Sequence, residues 1–299
     1  MTILDSIPTL ECRFNEPMDK HTSFKIGGRI SAMLYPSETD ELIESCELLH
    51  CAGIKPLIIG RGTNMLVSDT ALDMVAINMT GKPFVKRNTK RTEVSAYCGT
   101  PLATIAEFAC KAGLTGFEFA HGIPGTLGGA IVMNAGAYGG EICDVIQSTT
   151  AYNPHTGKFT VTGGEHEFSY RHSRFTGTGD IALYSVIRLR EGDKKAIREQ
   201  MDKYAAQRRR SQPLDIASAG STFKRPKEGY AAELIEQAGL KGFRIGGALV
   251  SRKHAGFVVN RGDATFSDVM AVINAVIETV LKQFGIELEP EVRIIRSEY

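Results

Sequence analysis

The chain has 299 residues, enough for about two domains of ordinary size and a sizeable core. Hydrophobic residues at 42% and charged ones at 23% exclude the fibrous and disordered classes. Lys+Arg 35 against Asp+Glu 34 leaves a net charge of +1, so no overall field gathers nucleic acid or an anionic membrane.

The N-terminal stretch MTILDSIPTLECRFNE has acidic residues at 5, 11 and 16 and no basic region before an apolar run. It is not a secretory signal, and a cytoplasmic protein is expected. Residues 37–53 read as a capped helix with Leu42, Ile43, Cys46 and Leu49 on one face and Gly53 as terminator. A short apolar strand at 56–59 runs directly into Gly60-Arg61-Gly62-Thr63-Asn64. Residues 93–98 read as a strand, followed by Thr100 as N-cap, Pro101 at the first helical position, a helix to Ala112 and Gly113 at its end. This alternation indicates mixed α/β layers, an α+β class. The uncharged segment 119–140 is 22 residues long, but its seven glycines with Pro124, His121 and Asn134 exclude a membrane span.

Residues 149–153, 158–162 and 181–189 read as antiparallel strands. Near Glu191 the character changes: residues 188–210 hold nine basic and four acidic side chains, mostly on a helix ending in Arg208-Arg209-Arg210. A helix at 230–238, a strand at 256–260 and a long helix from Ser267 follow. That helix spaces Met270, Ile273, Val276, Ile277, Val280, Leu281 and Phe284 as a core face and stops at Gly285; residues 286–295 alternate like a strand. Boundaries fall near residues 80 and 190, giving segments 1–80, 81–190 and 191–299. The cysteines at 12, 46, 51, 98, 110 and 143 include no CxxC and sit mostly in apolar patterns, so reduced buried thiols are expected and no metal.

Glycine is the departure from average composition, 31 of 299 residues against a usual ~7%, with nine between Gly113 and Gly140. The loop Gly60-Arg61-Gly62-Thr63-Asn64 exposes successive backbone N–H groups and adds polar side chains, which suits a pyrophosphate; a purely structural turn remains open. It is neither GxGxxG nor GxxxxGK[ST]. The second segment, Gly122-Ile123-Pro124-Gly125-Thr126-Leu127-Gly128-Gly129-Ala130 and on to Gly140, lets main chain lie against a flat ligand or pack closely on itself.

Seven stretches occur in one order: Thr22-Ser23-Phe24-Lys25-Ile26-Gly27-Gly28, the GRGTN loop, HGIPGTLGGAIVMNAGAYGGE, Tyr170-Arg171-His172-Ser173, Ala219-Gly220-Ser221-Thr222-Phe223-Lys224, Lys253-His254-Ala255-Gly256-Phe257 and Glu289-Pro290-Glu291-Val292-Arg293. Together they resemble the UDP-N-acetylenolpyruvoylglucosamine reductase (MurB) family over about residues 20–296. The resemblance implies a vanillyl-alcohol-type (PCMH-like) FAD-binding fold in two lobes, residues 1–80 and 81–190, plus a C-terminal α/β substrate domain, 191–299. It implies non-covalent FAD, since Thr63 stands where covalently flavinylated relatives carry His. Residues 60–64 would hold the FAD pyrophosphate, and Gly122, Ile123, Pro124, Gly125, Thr126, Gly129 and Ala130 would line the flavin.

The implied reaction uses NADPH to reduce FAD and then adds a hydride to the vinyl C3 of UDP-N-acetylglucosamine enolpyruvate, giving UDP-N-acetylmuramate. The family's catalytic positions fall on Arg171, Ser221 and Glu291. Arginine and a carboxylic acid suit the negative charge that develops at C2 and its carboxylate, and Ser221 would deliver the proton to C2. Without the resemblance, Arg171 reads as a turn arginine, Ser221 as a turn or cap serine and Glu291 as a solvated strand residue. Tyr138, Lys224 and Arg225 are the substrate-binding candidates, with packing an equal reading for Tyr138. Members commonly carry Asn at the position of Arg225 and Lys at that of Ser211, near the UDP pyrophosphate. Arg225, with the Arg208–Arg210 cluster, is expected to replace that lysine, because guanidinium binds phosphate bidentately; a solvated helix end is the alternative for the cluster. Only 50 positions separate Arg171 from Ser221, as in the shorter type without a lid-tyrosine insertion. The partner is then a small UDP-sugar, with no nucleic acid or membrane and a monomeric protein. The runner-up is an FAD-dependent oxidase of the same superfamily acting on another substrate.

Overall fold

The computed structural model describes residues 10–89 and 92–297, so the first nine residues of the stretch read for targeting lie outside the described residues. Two compact units emerge, each assembled from separate stretches. One takes the chain up to Arg13, Ala32–Gly60 and Met74–Arg208; the other takes Phe14–Ser31, Arg61–Asp73 and the chain from Arg209 onward. No helix among the described residues is long and apolar enough to cross a membrane.

The first unit is built on a five-stranded antiparallel sheet in the order Gly157–Thr162, Ile146–Asn153, Ile181–Arg188, Glu93–Tyr97, Val85–Arg87. Along Ile181–Arg188, Leu183, Ser185 and Ile187 are buried while Tyr184 and Val186 are half-buried, the alternation of a sheet with one face on the core. Helices α1 (Thr39–Cys51) and α2 (Leu102–Ala112) bury Leu42, Cys46 and Leu49, and Leu102, Ile105, Ala106, Ala109 and Cys110. α2 ends on Gly113 in the left-handed region, φ +69, the usual glycine stop. Its start differs from expectation: Pro101 is the N-cap residue, and Thr100 Oγ1 instead bonds the N–H and carbonyl of Phe84, both at 3.0 Å. A tertiary neighbour thus claims the hydroxyl that local pattern assigned to capping. The short helix α3 (Leu127–Val132) and the long α4 (Lys194–Ser211) as far as Arg208 also belong to this unit.

The second unit holds a four-stranded antiparallel sheet in the order Ala217–Ser218, Val258–Asn260, Ala248–Val250, Arg244–Ile245, with α5 (Ala231–Gln237) and α6 (Phe266–Phe284) in one core with it. α6 opens with a capping box between Thr265 and Asp268; backbone N–H donors from Thr265 and Gly247 hold the Asp268 carboxyl below the usual carboxylate range. Its buried stripe is Val269, Val272, Ile273, Val276 and Val280. Each buried side chain of this kind contributes about 1.5–3 kcal/mol, and Ile273→Ala would cost about 2–5 kcal/mol. Leu281 and Phe284, expected inside, are 45% and 37% exposed, because the stripe starts at Val269 and leaves them on its flank.

The closing segment also differs from a strand over 286–295. Only Arg293–Ile295 is a strand, paired in parallel with Met65–Val67. No disulfide joins the six cysteines among the described residues; Cys46, Cys98 and Cys110 are buried and Cys12 half-buried, but Cys51 and Cys143 are exposed, against the buried expectation. Burial pushes the Cys46 and Cys98 thiols up to about 12.

Candidate active site

The loop Arg61–Asn64 lies in the second unit. Gly62 has φ +58, and a Cβ there would stand 1.9 Å from the carbonyl oxygen of His21, so only glycine fits. The Gly62 carbonyl accepts the N–H of Ser23 at 3.1 Å, which fixes the loop from behind. Among the described residues no acceptor takes the backbone N–H of Arg61, Gly62, Thr63 or Asn64. Orphan N–H groups in succession are what a pyrophosphate requires, so the loop fits the FAD diphosphate.

The same unit brings Ser221 and Glu291 together. Glu291 N–H donates to the Thr222 carbonyl at 2.8 Å, Lys224 N–H to the Glu289 carbonyl at 2.8 Å, and Phe223 faces Pro290 across an antiparallel bridge. Asn64 joins them: its Nδ2 donates to the Glu291 carbonyl at 3.2 Å and its own carbonyl accepts Arg293 N–H at 3.0 Å. Ser221 follows Gly220, φ +80, and precedes Thr222, whose N–H and hydroxyl oxygen are bound by the Gly256 carbonyl and the Val258 N–H, at 2.8 and 2.9 Å. The KHAGF segment therefore buttresses the serine. Lys224 Nζ is paired with the Glu289 carboxylate, and the Arg225 guanidinium carbon stands 4.1 Å from the ring centroid of Tyr230.

In the first unit the segment 122–130 is held by its own backbone. Leu127 N–H bonds the Thr100 carbonyl at 3.0 Å, Gly128 N–H the Cys98 carbonyl at 2.7 Å, and Gly129 N–H the Thr126 Oγ1 at 3.4 Å. A Cβ on Gly128 would meet Cys98 Cβ at 3.1 Å, and one on Gly60 would meet Thr126 Oγ1 at 2.3 Å. These glycines are bare because protein packs on them. Gly129 is different: it is exposed, with only Thr126 Oγ1 near at 3.5 Å, and beside exposed Pro124 it leaves flat main chain suited to a ring.

Arg171 also belongs to the first unit. It sits at φ +56 in the two-residue loop between Ser169 and His172, which exchange hydrogen bonds of 3.1 and 3.2 Å; its guanidinium carbon lies 5.1 Å from the Tyr170 ring centroid. A non-glycine residue in this region is strained, and such strain concentrates at functional positions. Tyr138, φ +55, stacks on Tyr204 at 4.3 Å, and its hydroxyl donates to the Tyr204 carbonyl at 3.1 Å. Burial pushes the Tyr138 hydroxyl up, with Arg208 acting the other way.

Arg208 stands out from its cluster. Its Cδ lies 3.2 Å from where a Gly122 Cβ would stand, burial pulls its pKa down, and no hydrogen bond or ion pair engages its guanidinium among the described residues. Arg209 and Arg210 are exposed. Sequence reasoning gave no role to Asn134, buried at the end of α3, although an asparagine inside a glycine-rich run is a signal for a left-handed backbone position.

Known proteins resemble the chain over nearly its whole length. Residues 212–295 match the family described as UDP-N-acetylenolpyruvoylglucosamine reductase, C-terminal domain, and residues 30–179 match the FAD binding domain family. The UDP-N-acetylenolpyruvoylglucosamine reductase of Caldanaerobacter subterraneus is 45% identical over 283 residues, covering 94% of this chain and 92% of that protein. The Clostridioides difficile protein of the same name is 40% identical over 295 residues, 99% of this chain and 97% of that one. The crystal structure of UDP-N-acetylenolpyruvylglucosamine reductase (MurB) from Thermus caldophilus superposes with a TM-score of 0.80 at 28% identity, covering 96% and 99% of the two chains.

Proposed function

The chain belongs to the UDP-N-acetylenolpyruvoylglucosamine reductase family, an FAD flavoprotein that uses NADPH to reduce UDP-N-acetylglucosamine enolpyruvate in peptidoglycan precursor synthesis, and we propose that Arg171, Ser221 and Glu291 carry its reaction. FAD, when bound, supplies the hydride that the enolpyruvyl double bond takes up at C3. The rest falls to the protein. Arg171 holds the substrate carboxylate and offsets the negative charge that builds there as C3 is reduced, with Glu291 polarising the same carboxylate. Ser221 gives its hydroxyl proton to C2, completing the saturated lactyl group, and regains a proton from solvent. The observation that carries this reading is the hydrogen-bonded pairing of the Ser221 and Glu291 segments, with Asn64 of the GRGTN loop bound to the Glu291 backbone.

As part of the proposal, Arg61–Asn64 take the FAD diphosphate, Gly60 and 122–130 shape the bed of the flavin ring, and FAD is dissociable. Lys224, Arg225 and Tyr138 contact the UDP-sugar, with Arg208 and Arg225 serving its diphosphate where members commonly use lysine. The functional segments are 1–80, 81–190 and 191–299, and the enzyme works as a cytoplasmic monomer. Ser221→Ala tests the assignment in stopped-flow: NADPH should still bleach the flavin at the wild-type rate, while reoxidation by the enolpyruvyl substrate should be lost. Equal slowing of both half-reactions would remove Ser221 as proton donor.

A further inference from the structure

We propose that Asn134 is the positioning residue for Arg171, an inference that rests on Arg171 acting at the substrate carboxylate. Asn134 is 2% exposed and held at φ +39, a backbone position few residues adopt. Its amide is almost fully used. Oδ1 accepts the Cys143 N–H at 3.0 Å, while Nδ2 donates to Glu141 Oε2 at 2.9 Å and to the Ser169 carbonyl at 3.3 Å. A flipped amide would set its oxygen against two acceptors, so the orientation is unambiguous.

Ser169 is the base of the loop that carries Arg171 at its tip. Its carbonyl takes both the His172 N–H and the Asn134 amide, so the loop is clamped from inside the unit as well as closed on itself. A second clamp lies beside it: Ser173 Oγ and Thr176 Oγ1 both donate to the Val132 carbonyl, at 3.1 and 3.2 Å. Val132 ends α3, whose first turn belongs to the flavin-lining segment. One short helix therefore fixes the flavin-lining main chain at one end and the Arg171 loop at the other.

Only an amide suits position 134. It must donate twice and accept once, and a carboxylate there would face the Glu141 carboxylate at hydrogen-bond distance. Gly136 has its cause here too: a Cβ would press on Glu141 Cγ at 2.8 Å and displace the partner of Asn134. The second half of the glycine-rich run thus holds an arginine.

The test uses the FAD-loaded enzyme. Asn134→Ala is expected to keep FAD, to be reduced by NADPH within about twofold of wild type, and to be reoxidised by the enolpyruvyl substrate about tenfold or more slowly. Combined with Arg171→Ala, it should add nothing further, since it acts only through the arginine. Trypsin, read by mass spectrometry at the 171–172 bond, should cut the variant faster than wild type. Additive slowing in the double variant, or unchanged reoxidation, overturns the proposal. If Arg171→Ala alone leaves reoxidation intact, the reading of Arg171 is what fails. Asn134→Asp preserves volume and gives the same comparison should the alanine variant release FAD; loss of FAD from both would make Asn134 plain scaffold and also overturn the proposal.

Discussion

Gly62→Ala perturbs the proposed diphosphate cradle at one methyl group. At φ +58 the alanine backbone costs about 1–2 kcal/mol, because a Cβ crowds the following carbonyl in the left-handed region. The methyl would also lie 1.9 Å from His21 O, 3.0 Å from His21 C and 3.1 Å from Thr22 Cα, all backbone atoms that must retreat. Retreat breaks the 3.1 Å bond from Ser23 N–H to Gly62, worth about 1 kcal/mol net. The total is about 2–3 kcal/mol, or a fall in Tm of about 5–10 °C for a unit of this size. Gly285→Ala is the control in the same unit: φ is +70, and nothing lies within 4 Å of its added Cβ. It should lose only the backbone part, about 2–5 °C. Thermal melts of both apoproteins, with FAD affinity from flavin fluorescence, give the comparison. Gly62→Ala should also bind FAD at least tenfold more weakly, since the N–H groups of 61–64 move with the loop, while Gly285→Ala should bind it normally. Equal Tm losses with unchanged FAD affinity would refute the role of this loop.

Arg208→Ala should raise the KM for the UDP-substrate about tenfold, whereas Arg209→Ala should leave it within twofold, because only Arg208 is withdrawn from solvent against Gly122 without a partner; steady-state kinetics decide, and equal effects would return the cluster to a solvated helix end. Tyr138→Phe keeps the stack on Tyr204 and loses one hydrogen bond, so stability should fall by about 1 kcal/mol with KM within threefold; a larger KM would show the hydroxyl turning to the substrate. The bidentate hydrogen bond from Arg198 holds the Glu107 carboxyl below the usual carboxylate range. A lowered folded-state pKa stabilises the fold above the ordinary carboxylate value, and that contribution is lost as pH falls through the lowered one. Glu107→Gln should therefore melt below wild type at neutral pH, with the gap closing in acid; a gap that persists at low pH would contradict the pairing.

Local structure was legible in the sequence wherever it depends on neighbours along the chain. The helices over 39–51, 102–112 and 266–284 and their glycine stops at 113 and 285 follow from periodicity and from the left-handed turn that glycine allows. What depends on distant segments was not legible. Met65–Val67 pairs with Arg293–Ile295, and Phe84 captures the Thr100 hydroxyl; nothing in either stretch announces its partner. The glycine excess was visible, but its causes divide: Gly62 is bare for His21, Gly60 for Thr126 and Gly128 for Cys98, while Gly129 is exposed and a Cβ there would meet only Thr126 Oγ1, at 3.5 Å. Arg171, Ser221 and Glu291 were legible only through the ordered family motifs, since each alone reads as an ordinary turn or strand residue. Asn134 was missed because its partners, Glu141 and Ser169, come together only in the folded unit.

The central claim is tested most directly by anaerobic titration of the purified yellow protein. NADPH should bleach the flavin, and one equivalent of UDP-N-acetylglucosamine enolpyruvate should then restore its colour with formation of one equivalent of UDP-N-acetylmuramate. Flavin that stays bleached with the enolpyruvyl substrate and recovers only on admission of O₂ would contradict the account and identify an oxidase instead.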